Sequence, residues 1–94
     1  MGTVVGGTDA LIITRLAAAV GAVVADRGPI DLRFAVVART SGLAAGLRWL
    51  IGALRVTGGV VGLVAVLRGL LEAVESGESR RTVLRVIAVI EAAR

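Results

Sequence analysis

The side chains with reactive chemistry in this sequence are arginine, carboxylate and hydroxyl groups. The chain has seven carboxylates and eleven basic residues, all of them arginine, and it has no histidine, cysteine or tyrosine. Histidine is the usual general base near neutral pH, and lysine and cysteine are common covalent nucleophiles. What remains is charge pairing, hydrogen bonding and anion binding, so we expect a protein that is not an enzyme.

The acidic residues come closest to a catalytic or metal-binding pattern. Glu72 and Glu75 lie one helical turn apart, and Glu78 follows them. Arginines flank this stretch, which is the most polar of the chain, so a salt-bridged surface is a better interpretation than a general acid in a dry cleft. No acidic calcium-binding loop occurs, and the glycine-rich phosphate patterns lack their third glycine or their lysine. We expect no cofactor and no metal ion.

The composition limits how much of the surface of the chain can be exposed to water. Hydrophobic residues make up 56% of the 94 residues, charged residues only 19%, and the mean hydropathy is +0.90. A chain of this length forms one small domain, here residues 1–94, and much of its surface stays outside the core. Soluble monomers rarely expose large apolar patches. We therefore expect lipid, copies of the chain or a partner to cover part of this surface.

The net charge of +4 indicates anionic partners, such as lipid headgroups or nucleic acid. Phe34 and Trp49 are the only aromatic residues of the sequence, too few for a platform that stacks bases. Arginines spread through apolar segments are more typical of anchoring at a membrane interface. We expect no nucleic acid and no small-molecule substrate.

The clearest helix of the sequence covers residues 9–27. Asp9 suits the positive end of a helix dipole, and Arg27 suits the negative end. Gly28 and Pro29 then stop the helix, because glycine accepts a left-handed conformation and proline cannot continue.

The rest of the chain also has mostly helical periodicity. Residues 29–40 alternate in a way that fits a strand, but we prefer a helix because no segment is an obvious strand partner. The predicted fold is all-α, a small bundle or hairpins of three to four short helices. The alternative is a small α/β domain with strands at TVVGG and IDLRFAVVA. The later helices are predicted over residues 41–56, residues 60–76 and from residue 79 onward, the last two joined by the short SGES connection.

Two sets of residues are candidates for function. Ala17, Gly21 and Ala25 recur at four-residue steps, a spacing that lets helices approach closely. The second set consists of arginines inside apolar segments, which we interpret as contacts to lipid headgroups or to an aqueous lumen. Two of its members are seven residues apart and share one helix face. The set is Arg15, Arg48 and Arg55.

Hydropathy alone predicts no simple membrane span. The longest uncharged run, residues 56–67, has twelve residues, whereas a span needs about 18–20. Over residues 43–67, however, the aliphatic side chains offset the cost of two arginines, and the insertion energy is near zero. Several such segments together favour helices that insert or lie at an interface as an assembly.

The sequence therefore favours a non-enzymatic, membrane-associated helical protein that self-assembles and has a structural or pore-forming role. Its expected partners are copies of itself and a lipid bilayer or anionic headgroups. The alternative is a cytoplasmic, obligate homo-oligomeric interaction module, since obligate interfaces resemble a divided hydrophobic core. In that case the outward face would carry Glu72, Glu75, Glu78, Arg81 and Arg85.

Overall fold

The computed structural model describes residues 7–24, 29–58 and 61–92 of the chain. Within these residues the fold has five α-helices and no strand. The all-α prediction is confirmed, and the predicted number of three to four helices is too low. The helices are α1 (Gly7–Val23), α2 (Ile30–Ser41), α3 (Leu43–Thr57), α4 (Val61–Glu75) and α5 (Arg80–Ala92).

The additional helix is α2, which covers the segment whose alternation also fits a strand. Asp31 lies in its first turn and Arg39 in its last, each at the end of the helix dipole that favours its charge. Phe34 is buried together with Ala35 and Ala38, one and four residues on, which lie on one face of a helix but not on one face of a strand. The strand alternative is therefore wrong for this segment. Most of the other strand, at residues 3–7, lies outside the described residues.

Helix α1 is shorter at its carboxyl end than the sequence predicts. It ends at Val23, and Val24 follows in a turn with its side chain buried and its N–H bonded to the Val20 carbonyl at 2.9 Å. Two adjacent β-branched valines lower the helix propensity at this end. The predicted stop at Arg27 and Gly28 lies outside the described residues.

A single glycine separates α2 from α3. Gly42 has φ of +100° and ψ of 159°, a combination that residues with a Cβ rarely adopt. Its N–H still bonds to the Ala38 carbonyl at 3.0 Å, and its carbonyl accepts from the N–H of Gly46. The two helices fold back on each other closely, because a Cβ built on Gly46 would lie 2.8 Å from the Cβ of Ala38.

The connection between α4 and α5 is a capped turn at the predicted SGES segment. Gly77 has φ of +76°, and the N–H of Glu78 bonds to the Ala73 carbonyl at 2.9 Å, which closes α4 with a Schellman motif. Ser79 then begins the next helix, since its Oγ accepts from the N–H of Thr82 at 3.3 Å. These caps make α4 and α5 a hairpin.

The five helices form a closed ring around one core. Each helix packs mainly against its neighbours in the sequence, and α5 returns to pack against α1. In the described residues no polar or charged side chain is buried. The ring therefore keeps its arginines on the outside. The largest fully buried side chains are Leu16, Val20, Val24, Phe34, Leu47, Leu50, Leu54, Leu67, Leu70 and Ile87.

No helix in the described part of the chain is both long and apolar enough to cross a bilayer. The longest, α1, has 17 residues, and about 20 are usual for a span. The segment at residues 43–67, whose insertion energy is near zero, is divided between α3 and α4 after Gly58, where φ is +71°. The near-zero insertion energy therefore belongs to parts of two helices and not to one continuous helix.

Candidate functional site

The outward side of α2 carries exposed aliphatic side chains. Leu32 is 65% exposed and Val36 is 59% exposed, and they lie one turn apart on this helix. They border a shallow groove of about 450 Å³ whose other wall is the half-buried Trp49 of α3. We call this region the Trp49 surface. It consists of Pro29, Leu32, Arg33, Val36, Val37 and Trp49.

Two arginines flank the aliphatic centre of this surface. Arg33 lies on the side of α2 that faces Trp49. Arg39 lies on the opposite side, where its guanidinium is 3.5 Å from the Thr14 hydroxyl of α1. Both arginines are exposed. An apolar strip with a tryptophan and an arginine border can bury its centre in an apolar phase while its edges bind anions.

The same segment is the one for which a strand was the alternative to the preferred helix, and its apolar pattern is visible in the sequence. Read with a period of two, the apolar residues of α2 form one face. Read with a helical period, Phe34 and Ala38 face the core while Leu32 and Val36 point outward. Sequence alone does not identify Leu32, Val36 and Trp49 as an exposed surface, because the period of the segment must be known first.

Of the predicted close-packing residues, Gly21 lies at the contact between α1 and α2. A Cβ on Gly21 would be 2.8 Å from the Oδ2 of Asp31, so the absence of a side chain lets the two helices approach. Ala17 is half-buried against the core, and Ala25 lies outside the described residues. The stripe thus borders a contact within the chain rather than a free surface.

Among residues 10–23 of α1 the exposed side chains carry no formal charge, and the half-buried Arg15 beside them is paired with Glu91. These exposed side chains are small or apolar, in contrast to the arginine-bordered face of α2. Such a face can pack against an identical face without placing like charges together. Between positions 10 and 23 of α1, the exposed residues are Ala10, Leu11, Thr14, Ala18 and Ala22.

Arg15 and Arg48, two of the predicted headgroup residues, are held in ion pairs between helices. Arg15 on α1 donates to the Oε1 of Glu91 on α5 at 2.7 Å. Arg48 on α3 pairs with Glu75 on α4. Both pairs are partly exposed to solvent. They link neighbouring helices of the ring, which gives each arginine a partner other than lipid.

The third candidate, Arg55, lies with Arg48 on the wall of a groove of about 380 Å³ between α3 and α4. The shared face predicted from their seven-residue spacing is therefore present. We call this region the α3–α4 groove. Its α3 wall has Arg48, Ile51, Gly52 and Arg55, and its α4 wall has Arg68, Leu71, Glu72 and Glu75.

The acidic residues of the described segments do not gather into a metal site. No group of three or more ligating side chains occurs among these residues. Glu72 and Glu75 line the α3–α4 groove, and Glu78 lies in the turn before α5. All three are exposed, as a salt-bridged surface requires.

No protein-family model, no curated protein and no solved structure matches this chain.

Proposed function

We propose that this chain is a non-enzymatic helical protein that associates with membrane surfaces and self-assembles in a structural role. The Trp49 surface is the observation that carries the proposal. Its aliphatic centre is exposed on a helix of 12 residues, about 18 Å long, which can lie in the plane of a bilayer interface. Peripheral attachment of this kind needs no spanning helix, so we favour a structural role over a pore.

The charges on α2 favour an anionic membrane over a second copy of the chain at this surface. A two-fold contact would place the same patch of both copies together, and Arg33 and Arg39 would then face arginines. Anionic headgroups complement these charges instead, with about 1 kcal/mol of attraction for each arginine near the surface. The exposed Leu32 and Val36 contribute more by leaving water.

Self-assembly is assigned to a different face, the uncharged outward side of α1. Leu11, Ala18 and Ala22 are exposed there, Arg15 beside them is paired with Glu91, and the guanidinium of Arg39 lies at the edge of the face, 3.5 Å from the Thr14 hydroxyl. Copies that meet through this face leave the Trp49 surface free for lipid. One chain would then use α2 for attachment and α1 for assembly.

The uncharged α1 face also favours the second candidate, a homo-oligomeric module without a membrane. In that form copies meet through the α1 face, and the Trp49 surface binds no lipid. The exposed positions of the acidic and basic residues on α4 and α5 are compatible with either form. Vesicle binding and oligomeric state separate the two candidates.

Trp49 provides the test, because it is the single tryptophan of the chain and the sequence has no tyrosine. With vesicles of phosphatidylcholine and phosphatidylglycerol, we expect the protein to sediment and the Trp49 emission to shift to the blue. Vesicles of phosphatidylcholine alone should bind much less. The double variant Leu32→Ser, Val36→Ser should lose at least about tenfold in vesicle affinity, because two buried aliphatic contacts are lost.

The matched control is Val61→Ser, Val89→Ser, which removes two exposed valines outside the Trp49 surface. This variant should bind vesicles as the unmodified chain does. A protein that stays in the supernatant and elutes as a stable oligomer supports the second candidate. A protein that is monomeric and does not bind vesicles contradicts both candidate functions.

A further inference from the structure

The α3–α4 groove holds an ion pair at one end and two arginines at the other. Arg48 and Glu75 pair across the groove. Arg55 lies seven residues after Arg48 on α3, and Arg68 lies seven residues before Glu75 on α4. Seven residues are nearly two helical turns, and α3 and α4 run antiparallel. The same shift along both helices therefore leads from Arg48 and Glu75 to Arg55 and Arg68, which lie on opposite walls of the groove. Both members of the second pair are positive.

We propose that Arg55 and Arg68 form a binding site for a phosphate group. Both guanidinium groups are exposed, and neither is in an ion pair with a carboxylate of the described residues. Two facing cations repel each other, and an anion between them removes that repulsion. The planar fork of donors on arginine matches the oxygens of a phosphate, which it binds in a bidentate manner.

The groove has room for such a ligand because Gly52 lies on its α3 wall. A Cβ built on Gly52 would meet nothing within 4 Å, so the space beside Arg55 is open. The ligand class is a phosphate monoester or a pyrophosphate, whose charge exceeds that of a diester. Two sources share this chemistry, a free phosphate compound and the headgroup of a lipid such as phosphatidic acid.

Glu72 sets the strength of the site. It lines the same groove one turn from Arg68, and its carboxylate repels an incoming anion. Removal of this charge should therefore strengthen binding, whereas removal of either arginine should weaken it. Loss of folding would lower the binding affinity in every variant, so it does not explain changes of opposite sign at Glu72 and Arg68. The α3–α4 groove is a different surface from the Trp49 surface, and phosphate binding in it does not depend on membrane attachment.

The experiment is a titration of the full chain with inorganic pyrophosphate at low salt, followed through the arginine Nε–Hε signals in proton–nitrogen NMR spectra. We expect the chemical shifts of Arg55 and Arg68 to change in a saturable way. The chemical shift of Arg85, an exposed arginine on α5, should not change. Arg55→Gln and Arg68→Gln should each lower the affinity by about fivefold, and Glu72→Gln should raise it by about twofold. Arg85→Gln is the control with the same change in net charge.

Competition distinguishes the two sources. The chain is first bound to vesicles of phosphatidylcholine with phosphatidic acid, and pyrophosphate is then added. Displacement of the chain from the vesicles identifies a lipid headgroup as the ligand. Pyrophosphate binding without displacement identifies a free phosphate compound. Both results support the site if Arg55→Gln and Arg68→Gln weaken binding. Equal shifts of all arginine signals, no saturable shift, or equal losses in Arg55→Gln and Arg85→Gln would overturn it. Loss of vesicle binding in Leu32→Ser, Val36→Ser alone would leave this result unaffected.

Discussion

The guanidinium of Arg15 on α1 donates to the carboxylate of Glu91 on α5 at 2.7 Å, which joins the first helix of the ring to the last. The two residues are separated by 76 positions in the chain. No local pattern in the sequence relates them. The pair marks the place where the chain closes on itself, beside the apolar contacts between the same two helices.

We expect the Arg15–Glu91 pair to contribute about 0.5 kcal/mol to stability, because its side chains are 37% and 33% exposed and water screens their attraction. A double-mutant cycle with Arg15→Gln and Glu91→Gln, measured by urea unfolding, gives this coupling energy. High salt should reduce it. The cycle of Arg68→Gln with Glu91→Gln, which are not paired, should give none. Equal coupling in both cycles would mean that ring closure does not involve this pair.

Gly46 and Gly52 on α3 should respond in opposite ways to alanine. Gly46→Ala places a Cβ 2.8 Å from the Cβ of Ala38, and we expect a loss of about 1–3 kcal/mol from overpacking. Gly52→Ala meets open space and should gain about 0.5–1 kcal/mol, because glycine is a poor helix former. Thermal unfolding by circular dichroism measures both. If Gly46→Ala is as stable as Gly52→Ala, α2 and α3 do not pack as described.

The predicted role of Gly21 in close helix packing can be tested on α1 itself. Gly21→Leu should cost about 2 kcal/mol, since even a Cβ would clash with the carboxylate of Asp31. An exposed alanine on α4 is the control, and Ala65→Leu should change the free energy of unfolding by less than about 0.5 kcal/mol. A Gly21→Leu variant as stable as Ala65→Leu would show that Gly21 does not face α2. Chemical denaturation of both variants gives the comparison.

Gly42→Ala should destabilise the fold by about 1–3 kcal/mol, because φ of +100° with ψ of 159° is a conformation for glycine alone. A change of this size lowers the melting temperature of a domain of this length by several degrees, about 4–8 °C for each kcal/mol. The adjacent Ser41→Ala, at an exposed helical position, should have little effect. A Gly42→Ala variant as stable as Ser41→Ala would indicate that the α2–α3 turn has a different backbone.

Much of the fold can be predicted from local signals. The helical period and the SGES turn are local features, and each has its predicted effect in the structure. The preferred helix over residues 29–40 is confirmed as α2, but the predicted number of helices was too low because this segment also fits the period of a strand. Only contacts decide such a case, and the adjacent residues Phe34 and Ala35 reach the core together, with Val36 exposed, only if the segment is helical.

The candidate sites depend more on tertiary structure. Arg48 and Arg55 share a face because of their spacing alone, as the sequence predicts. The residues opposite them in the α3–α4 groove could not be predicted, because Glu75 and Arg68 come from another helix whose register is set by packing. The exposure of Leu32 and Val36 was hidden for a similar reason, since an apolar residue looks the same in a sequence whether it faces the core or the solvent.

The amino-acid sequence by itself determined that this protein is helical, basic through arginine alone, and without the side chains of most catalytic chemistry. Composition and period are properties of each segment, so no fold is needed to read them. Tertiary structure decided which apolar residues stay outside, which arginines are paired, and that no described helix is long and apolar enough to cross a bilayer. These are relations between segments, and the packing of five helices around one core fixes them.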